Sequence, residues 1–195
     1  NGSCIVHVTL LPFIHAAGEL KTKPTQHSVK ELQSVGLQPD ILLCRTERPV
    51  PLDQKNKIGQ FCNVAADDVI IAEDAKSIYQ VPLAYHSQGF DTQICRHFNL
   101  DEQKPDLKRW QSIAHDFENP EGKITIAIVG KYTSLQDSYK SLGEAITHGG
   151  IANKLKVEVE WIDSEVFETE NDDILSHYLS NISGVLVPGG FGKRG

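Results

Sequence analysis

The 195-residue sequence contains no methionine and no apolar run long enough to cross a membrane as a helix. It begins with Asn1-Gly2-Ser3 and shows no secretory signal pattern. The absent apolar run predicts that the protein has no membrane partner. The absent methionine, together with this start, indicates a piece of a longer chain.

The sequence also lacks a CxxC pair and an excess of positive charge. Its four cysteines, Cys4, Cys44, Cys62 and Cys95, lie in or beside apolar segments. We therefore expect buried free thiols in a reducing cytosol rather than disulfides, and we assign no metal ligand. The formal net charge of −7 argues against nucleic acid as a partner, so an anionic ligand would depend on local lysine clusters.

Residues 1–99 alternate between β-rich apolar segments and helical patterns, which predicts a doubly wound α/β domain with a mostly parallel sheet. The first strand reads as buried on both faces, with His7 as a packed core residue. In the first long helix after the second strand, Ile58 and Phe61 are expected to face inward. The expected strands are Cys4–Pro12, Ile41–Arg45 and Asp68–Ala72, and the expected helices are Asp53–Cys62 and Ser77–Phe98, the latter divided by Pro82 and Gly89.

A charged, proline-containing segment, residues 100–122, reads as an interdomain connector with one amphipathic helix along Leu107, Trp110, Ala114 and Phe117. A second α/β unit, residues 123–195, follows it. Its helix is expected to begin at a capping box, Ser134–Asp137, and to stop at Gly149-Gly150. The other expected elements are a strand at Ile124–Tyr132, an edge strand at Val157–Trp161, a helix at Ile174–Leu179 and a strand at Gly184–Val187.

A basic stretch, Lys21–Gln26, follows the first strand and reads as an anion-binding loop that leads into a helix. Ser28 and Glu31 have capping-box spacing, which places the helix start just after the loop, and Gly36 is a plausible stop. Lysine charges and the unpaired N–H groups of a helix start attract phosphate. On these features alone, a solvated surface loop is an equal alternative.

A glycine-rich turn, Pro188-Gly189-Gly190-Phe191-Gly192, follows the last apolar strand. Glycines let consecutive N–H groups point into one concavity, which suits an anion or a developing oxyanion. A simple tight turn is the alternative for this motif on its own.

The run KTKPTQHSVKEL resembles the UTP-binding segment of the CTP synthase family, the glutamine-dependent enzymes that aminate UTP to CTP. The IAIVGKY strand, the DSYKS helix and PGGFG resemble the opening of that family's class I glutamine amidotransferase domain. The resemblance implies a P-loop NTPase-like synthetase part over residues 1–99. It also implies the truncated start of a flavodoxin-like glutaminase domain over residues 123–195.

The resemblance further implies an ATP-dependent ligase that uses glutamine or ammonia. Lys21, Thr22, Lys23, Pro24, Thr25 and Gln26 would hold the phosphates of UTP, or of CTP as inhibitor. Lys57 would add a charge to that site, although alone it reads as a solvated helix lysine. Glu73, Asp74 and Ala75 would lie near the base of ATP. Gly190 would contact glutamine and contribute to the oxyanion hole.

Mg²⁺, GTP as activator, a homotetramer and a cytoplasmic location are also implied by the resemblance. The family's phosphate loop and magnesium ligands would lie upstream, and its Gly-x-Cys-x-Gly nucleophile would lie downstream. The 195 residues alone are therefore expected to be inactive. The alternatives are a non-catalytic UTP- or CTP-binding or assembly module, and a product that does not fold stably.

Overall fold

The computed structural model describes residues 2–102, 104–131, 136–169 and 171–190. The chain divides into two compact units, residues 1–111 and residues 112–195. None of the described helices is long and apolar enough to span a membrane.

The first unit is built on a three-stranded parallel sheet with the order β1-β4-β5, beside a two-stranded antiparallel hairpin formed by β2 and β3. The strands are β1 (Val6–Leu10), β2 (Phe13–Ile14), β3 (Glu19–Leu20), β4 (Ile41–Thr46) and β5 (Val69–Glu73). The helices are α1 (Lys23–Ser34), α2 (Leu52–Cys62), α3 (Val81–Ser87) and α4 (Phe90–His97), and α5 (Lys108–Glu118) begins in this unit and ends in the second.

The core of this unit lies where α1 and α2 cover the sheet. Its fully buried side chains include Leu11, Leu42, Ile58 and Val69. Burial of each aliphatic side chain of this size contributes about 1.5–3 kcal/mol to the stability of the folded unit. These residues therefore hold the strands, and with them the strand ends, in fixed positions.

Most of the predicted elements of this unit are confirmed. Strands β4 and β5 and helix α2 begin and end within a residue of the expected bounds. The long helical segment is divided as predicted, because Pro82 lies in the first turn of α3 and Gly89 has a φ of 78° before α4.

The prediction that the first strand is buried on both faces is wrong. Val8 and Leu10 are 57% and 59% exposed, whereas Thr9 between them is buried. Strand β1 lies at an edge of the sheet, and α1 packs against it. Within the described ranges, no element covers the face that carries Val8 and Leu10.

The prediction that Phe61 faces inward is also wrong, since its side chain is 62% exposed. The buried stripe of α2 passes through Ile58, Gly59 and Cys62. A helix turns about 100° per residue, so Phe61 lies at the flank of that stripe rather than at its centre.

The second unit contains a three-stranded parallel sheet with the order β7-β6-β8. Strand β7 is therefore at an edge, as the alternation of valine and glutamate predicts. Its strands are β6 (Gly122–Gly130), β7 (Leu155–Asp163) and β8 (Gly184–Leu186), and its helices are α6 (Lys140–Ala152), α7 (Val166–Thr169) and α8 (Asp172–Leu179).

The prediction that Gly149 and Gly150 stop the helix is wrong, because α6 continues through them to Ala152. A Cβ on Gly150 would lie 2.7 Å from the carbonyl oxygen of Leu155 and 2.8 Å from Cγ2 of Val157. Gly150 is thus required for close packing of the helix on β7, not for a turn. Ser134 and Leu135 of the predicted capping box lie outside the described residues.

The amphipathic helix predicted in the connector segment is present as α5. Ala114 is its buried residue, and Trp110 and Phe117 are 40% and 39% exposed. The helix crosses the division between the two units at Gln111 and Ser112.

Candidate functional site

The carboxyl edge of the first sheet carries a cavity of about 770 Å³. Strands β1 and β4 run parallel, so their carboxyl ends meet at this edge, where ligands of parallel α/β sheets gather. Helix α1 contributes Pro24 and Ser28 to the lining. The charged and titratable residues of the lining are His15, Arg45, Glu47 and Asp74.

Helix α1 begins earlier than the sequence predicts. It starts at Lys23, so Lys23–Gln26 form its first turn rather than a loop. The predicted capping box is wrong, because Ser28 lies inside the helix, with its hydroxyl oxygen 2.9 Å from Nε2 of His7. Pro24 explains the early start, since its fixed φ suits the first helical turn and its missing N–H costs no hydrogen bond there.

No side chain caps the start of α1 in the described structure. The N–H groups of a first helical turn have no intrahelical partner, so those of Lys23 and Thr25 have none within the helix. The helix dipole adds partial positive charge at the same point. The early start thus places the basic stretch itself, not its end, at the positive pole of the helix.

The two lysines of this stretch differ in their surroundings. Lys23 is exposed. Lys21 forms an ion pair with Glu19, and its backbone N–H donates to the carbonyl of Pro12 at 3.0 Å. Glu19 lies in β3, so the hairpin holds a carboxylate beside the ammonium group that the sequence assigns to phosphate.

Thr25 and Gln26 make contacts inside the unit. The hydroxyl of Thr25 is fully buried and donates to the carbonyl of Leu10 at 3.1 Å, beside the hydroxyl of Thr9. The side-chain amide of Gln26 donates to the hydroxyl of Thr22 at 3.1 Å. The side chain of Thr25 therefore attaches α1 to β1. Only its backbone N–H, which has no partner within the helix, points out from the helix start.

Replacing Thr25 with valine is expected to lower the free energy of unfolding by about 1–2 kcal/mol, because it removes a buried hydrogen bond without changing side-chain volume. Urea unfolding followed by circular dichroism would measure the change. Thr22→Val is the matched control and is expected to cost less than about 0.5 kcal/mol, since Thr22 is only half-buried. Equal losses in the two variants would contradict this assignment.

Cys44, in β4, is a core thiol. All four cysteines are free, as expected, but only Cys44 and Cys62 are buried, whereas Cys4 and Cys95 are half-buried. Burial raises the pKa of Cys44 to about 11, against a smaller opposing effect of the hydroxyl of Thr9. Cys44 is therefore protonated at neutral pH and belongs to the core.

Asp74 is fixed at the mouth of the cavity. Its Oδ1 lies 2.5 Å from Nη2 of Arg45, and its backbone N–H donates to the carbonyl of Thr46 at 2.8 Å. Glu73, the last residue of β5, and Ala75 are exposed beside it. Of the predicted ATP segment, Asp74 is the residue that lines the cavity.

Sequence reasoning missed the hairpin wall of the cavity. The guanidinium carbon of Arg48 lies 3.9 Å from the centre of the Phe13 ring, and Nε2 of His15 lies 3.3 Å from Oε1 of Glu47. Two-residue strands are too short to show alternation. Arg45 could have indicated a polar site at this edge, because it is a charged residue at the end of a predicted buried strand.

Three carboxylates at this edge have a basic partner. Glu47 pairs with His15, Asp74 pairs with Arg45, and Glu19 pairs with Lys21. Each of these pairs lies at the edge of the sheet or at the hairpin beside it.

Lys57 lies on the exposed side of α2, which packs against α1. Like Lys21 and Lys23, it lies outside the lining of the cavity, whereas Pro24 and Asp74 belong to that lining. The cavity and the basic start of α1 are thus neighbouring features that share Pro24.

In the second unit, the segment after β8 leads to Gly190, which is exposed. Phe191 and Gly192 of the predicted turn lie outside the described residues. A Cβ on Gly189 would meet open space. A Cβ on Gly130, at the carboxyl end of β6, would lie 2.8 Å from the hydroxyl of Tyr139 and 3.5 Å from Pro188.

The geometry places this chain among α/β proteins built on parallel sheets, with polar groups gathered at the carboxyl edge of the first sheet. The profile of the family described as CTP synthase N-terminus matches residues 1–100. The profile described as glutamine amidotransferase class-I matches residues 134–195.

Curated relatives named CTP synthase match nearly the whole chain. Those from Rhodospirillum rubrum and Novosphingobium aromaticivorans are 60% and 58% identical, each over 99% of this chain and 35% of the relative. The relative from Rhodospirillum centenum is 61% identical over 97% of this chain and 34% of its own length. The chain therefore belongs to the CTP synthase family, and it spans about a third of the length of these relatives.

Proposed function

We propose that this chain is part of an enzyme that converts UTP to CTP with ATP and either glutamine or ammonia. The observation that carries the proposal is the uncapped, basic start of α1 at the carboxyl edge of a parallel sheet, in a chain of this family. In the reaction, ATP phosphorylates O4 of UTP. Ammonia then displaces that phosphate, which leaves CTP, ADP and inorganic phosphate.

The phosphates of UTP, or of CTP as inhibitor, are assigned to the start of α1. Lys21 and Lys23 supply full charges, and the N–H groups of the first turn supply donors directed along the helix axis. Thr22, Pro24 and Gln26 shape this turn, whereas Thr25 contributes its backbone rather than its buried hydroxyl. Lys57 adds a charge from α2.

The base of ATP is assigned to the segment Glu73, Asp74 and Ala75. The neighbouring cavity of about 770 Å³ lies within the range of about 300–1,000 Å³ that is common for small-molecule sites. Arg45 and Asp74 would orient the ligand there, because their ion pair forms part of the wall. Mg²⁺ would be held with the ATP phosphates by residues other than those of this edge.

In the second unit, the backbone N–H of Gly190 is assigned to glutamine binding and to the oxyanion hole. The proposed domains are the synthetase part at residues 1–99, the connector at residues 100–122 and the start of the glutaminase at residues 123–195. The proposed architectures are P-loop NTPase-like and flavodoxin-like. The match of residues 134–195 to the class I amidotransferase profile supports the second of these.

Membership of the family also supports three wider proposals. GTP acts as activator, the working assembly is a homotetramer and the enzyme is cytoplasmic. The 195 residues would be an internal fragment that spans the later synthetase part and the start of the glutaminase.

The test is CTP formation from UTP and ATP in the presence of Mg²⁺, with ammonia and glutamine tried in turn. We expect the full-length protein to form CTP with both donors and the 195-residue chain to form none. None of its cysteines lies in a Gly-x-Cys-x-Gly elbow, so glutamine would not be hydrolysed, and the phosphate loop and magnesium ligands that the ammonia reaction also needs would lie upstream. UTP binding by the full-length protein without CTP formation would instead support a binding or assembly module. Failure to bind UTP would overturn both functions.

A further inference from the structure

Three potential ligand atoms of different chemistry converge at the amino edge of the first sheet, opposite the carboxyl edge described above. Cys4 precedes β1, Asp40 immediately precedes β4, and His97 is the last residue of α4. One ligand atom of each residue lies within 4.8 Å of the others, and all three residues are half-buried. The fold thus brings a sulfur, an oxygen and a nitrogen together from distant parts of the sequence.

The hydrogen bonds of His97 determine which ring nitrogen faces the cluster. Its Nε2 donates to the carbonyl of Ser3 at 2.8 Å, so in the neutral ring Nδ1 carries the lone pair. Nδ1 lies 3.8 Å from Oδ1 of Asp40. Two electron-rich atoms therefore face each other across a gap that a cation would fill.

The side chains of His97 and Asp40 make the kind of hydrogen bonds that orient the ligands in metal sites. A histidine that binds a metal donates its other ring N–H to a carbonyl or carboxylate, as His97 does to Ser3. The second oxygen of Asp40 accepts the backbone N–H of Ile5 at 2.7 Å, which orients its carboxylate. Both contacts fix the ligands before any ion is present.

We propose that Cys4, Asp40 and His97 bind a divalent transition-metal ion, with Zn²⁺ as the best match. Zinc takes thiolate, imidazole and carboxylate ligands in tetrahedral geometry with bonds of about 2.0–2.3 Å. The three ligand atoms lie within 4.8 Å of one another, so small side-chain movements would bring them into that geometry. A cavity of about 310 Å³ adjoins the cluster and is lined by Asp40, His97 and Asp68, so Asp68 or a water molecule would supply the fourth ligand. Arg96 also lines this cavity, but its guanidinium pairs with Glu102 at 2.7 Å.

The ion would join the starts of two adjacent strands to the end of α4. The thiol of Cys4 would release its proton to solvent on binding, because the thiolate is the ligand. The site lies at the opposite edge from the nucleotide groups, so its role is to stabilise the unit rather than to take part in amination. It goes beyond the proposed function, and it departs from the sequence-based expectation that the chain holds no metal ligand.

The test is titration of the metal-free protein with Co²⁺, whose visible spectrum reports geometry and whose thiolate charge-transfer band reports sulfur ligation, followed by displacement with Zn²⁺. We expect one ion per chain with a thiolate band. Cys4→Ser is expected to abolish the band, and His97→Gln to weaken Zn²⁺ binding by at least about tenfold. Cys95→Ser is the matched control, a half-buried cysteine outside the cluster, and is expected to bind as the parent does.

Thermal unfolding separates the site from adventitious binding. Excess Zn²⁺ is expected to raise the Tm of the parent and of Cys95→Ser but not of Cys4→Ser, because only native-state binding stabilises the fold. Absence of a thiolate band in the parent would overturn the proposal and leave an ordinary histidine–carboxylate pair. Equal zinc affinity of Cys4→Ser and the parent would overturn it as well.

Discussion

Replacing Lys21 and Lys23 together with alanine is expected to weaken UTP binding by at least about 100-fold. A hydrogen bond to a charged group contributes about 1.5–3 kcal/mol, so the loss of two such contacts exceeds the 2.7 kcal/mol that corresponds to about 100-fold. The formal net charge of −7 on these 195 residues gives them no general attraction for a triphosphate, which leaves local lysines to provide it. Isothermal titration of the full-length protein with UTP would measure the effect.

Two single variants sharpen this test. Lys30→Ala removes an exposed lysine from the same helix but away from its start, and it is expected to change UTP affinity less than about threefold. Glu19→Gln removes the carboxylate that pairs with Lys21, so it is expected to retain or strengthen UTP binding.

Parent affinity is also expected to fall steeply as salt concentration rises, because ions screen exposed charges. Unchanged UTP affinity in the double variant would show that the phosphates bind elsewhere.

Replacing Ile58 with alanine is expected to lower the free energy of unfolding by about 2–5 kcal/mol. Ile58 is fully buried between α2 and the sheet, and its truncation leaves a cavity in addition to the lost apolar burial. This loss is a large part of the total stability of a small domain. Urea unfolding followed by far-ultraviolet circular dichroism would detect it as a lower midpoint.

Phe61→Ala is the matched control on the same helix. The larger aromatic ring is 62% exposed, so its removal is expected to cost less than about 1 kcal/mol. Hydrophobicity alone would predict the reverse order. A greater loss for Phe61→Ala than for Ile58→Ala would mean that α2 is rotated about its axis relative to the geometry described above.

Patterns that depend on neighbouring residues could be read from the sequence. Strand β4 and helix α2 are examples, since a continuous apolar run and a helical repeat each specify their own element. Gly36 also follows this logic. Its φ is 84°, its N–H donates to Gln33, and the N–H of Leu37 donates to Leu32, so the helix ends in a Schellman motif.

Features that depend on distant residues could not be read in this way. Ser28 has the spacing of a helix cap, but Pro24 starts the helix earlier, and the hydroxyl of Ser28 forms a hydrogen bond with His7 of β1 instead. Gly150 has the appearance of a stop signal, but its role is set by contact with β7. In the candidate site, lysines and glycines are conspicuous in sequence, whereas the pairing of Arg45 with Asp74 requires the register of the strands.

The exposed face of β1 has a consequence for handling the isolated chain. Val8 and Leu10 project from a strand that lies at the edge of its sheet, and such strands are templates for pairing between molecules. Apolar association weakens on cooling, while like charge on the molecules opposes contact. Colloidal stability should therefore be best in the cold, at low salt and at a pH well above the acidic isoelectric point.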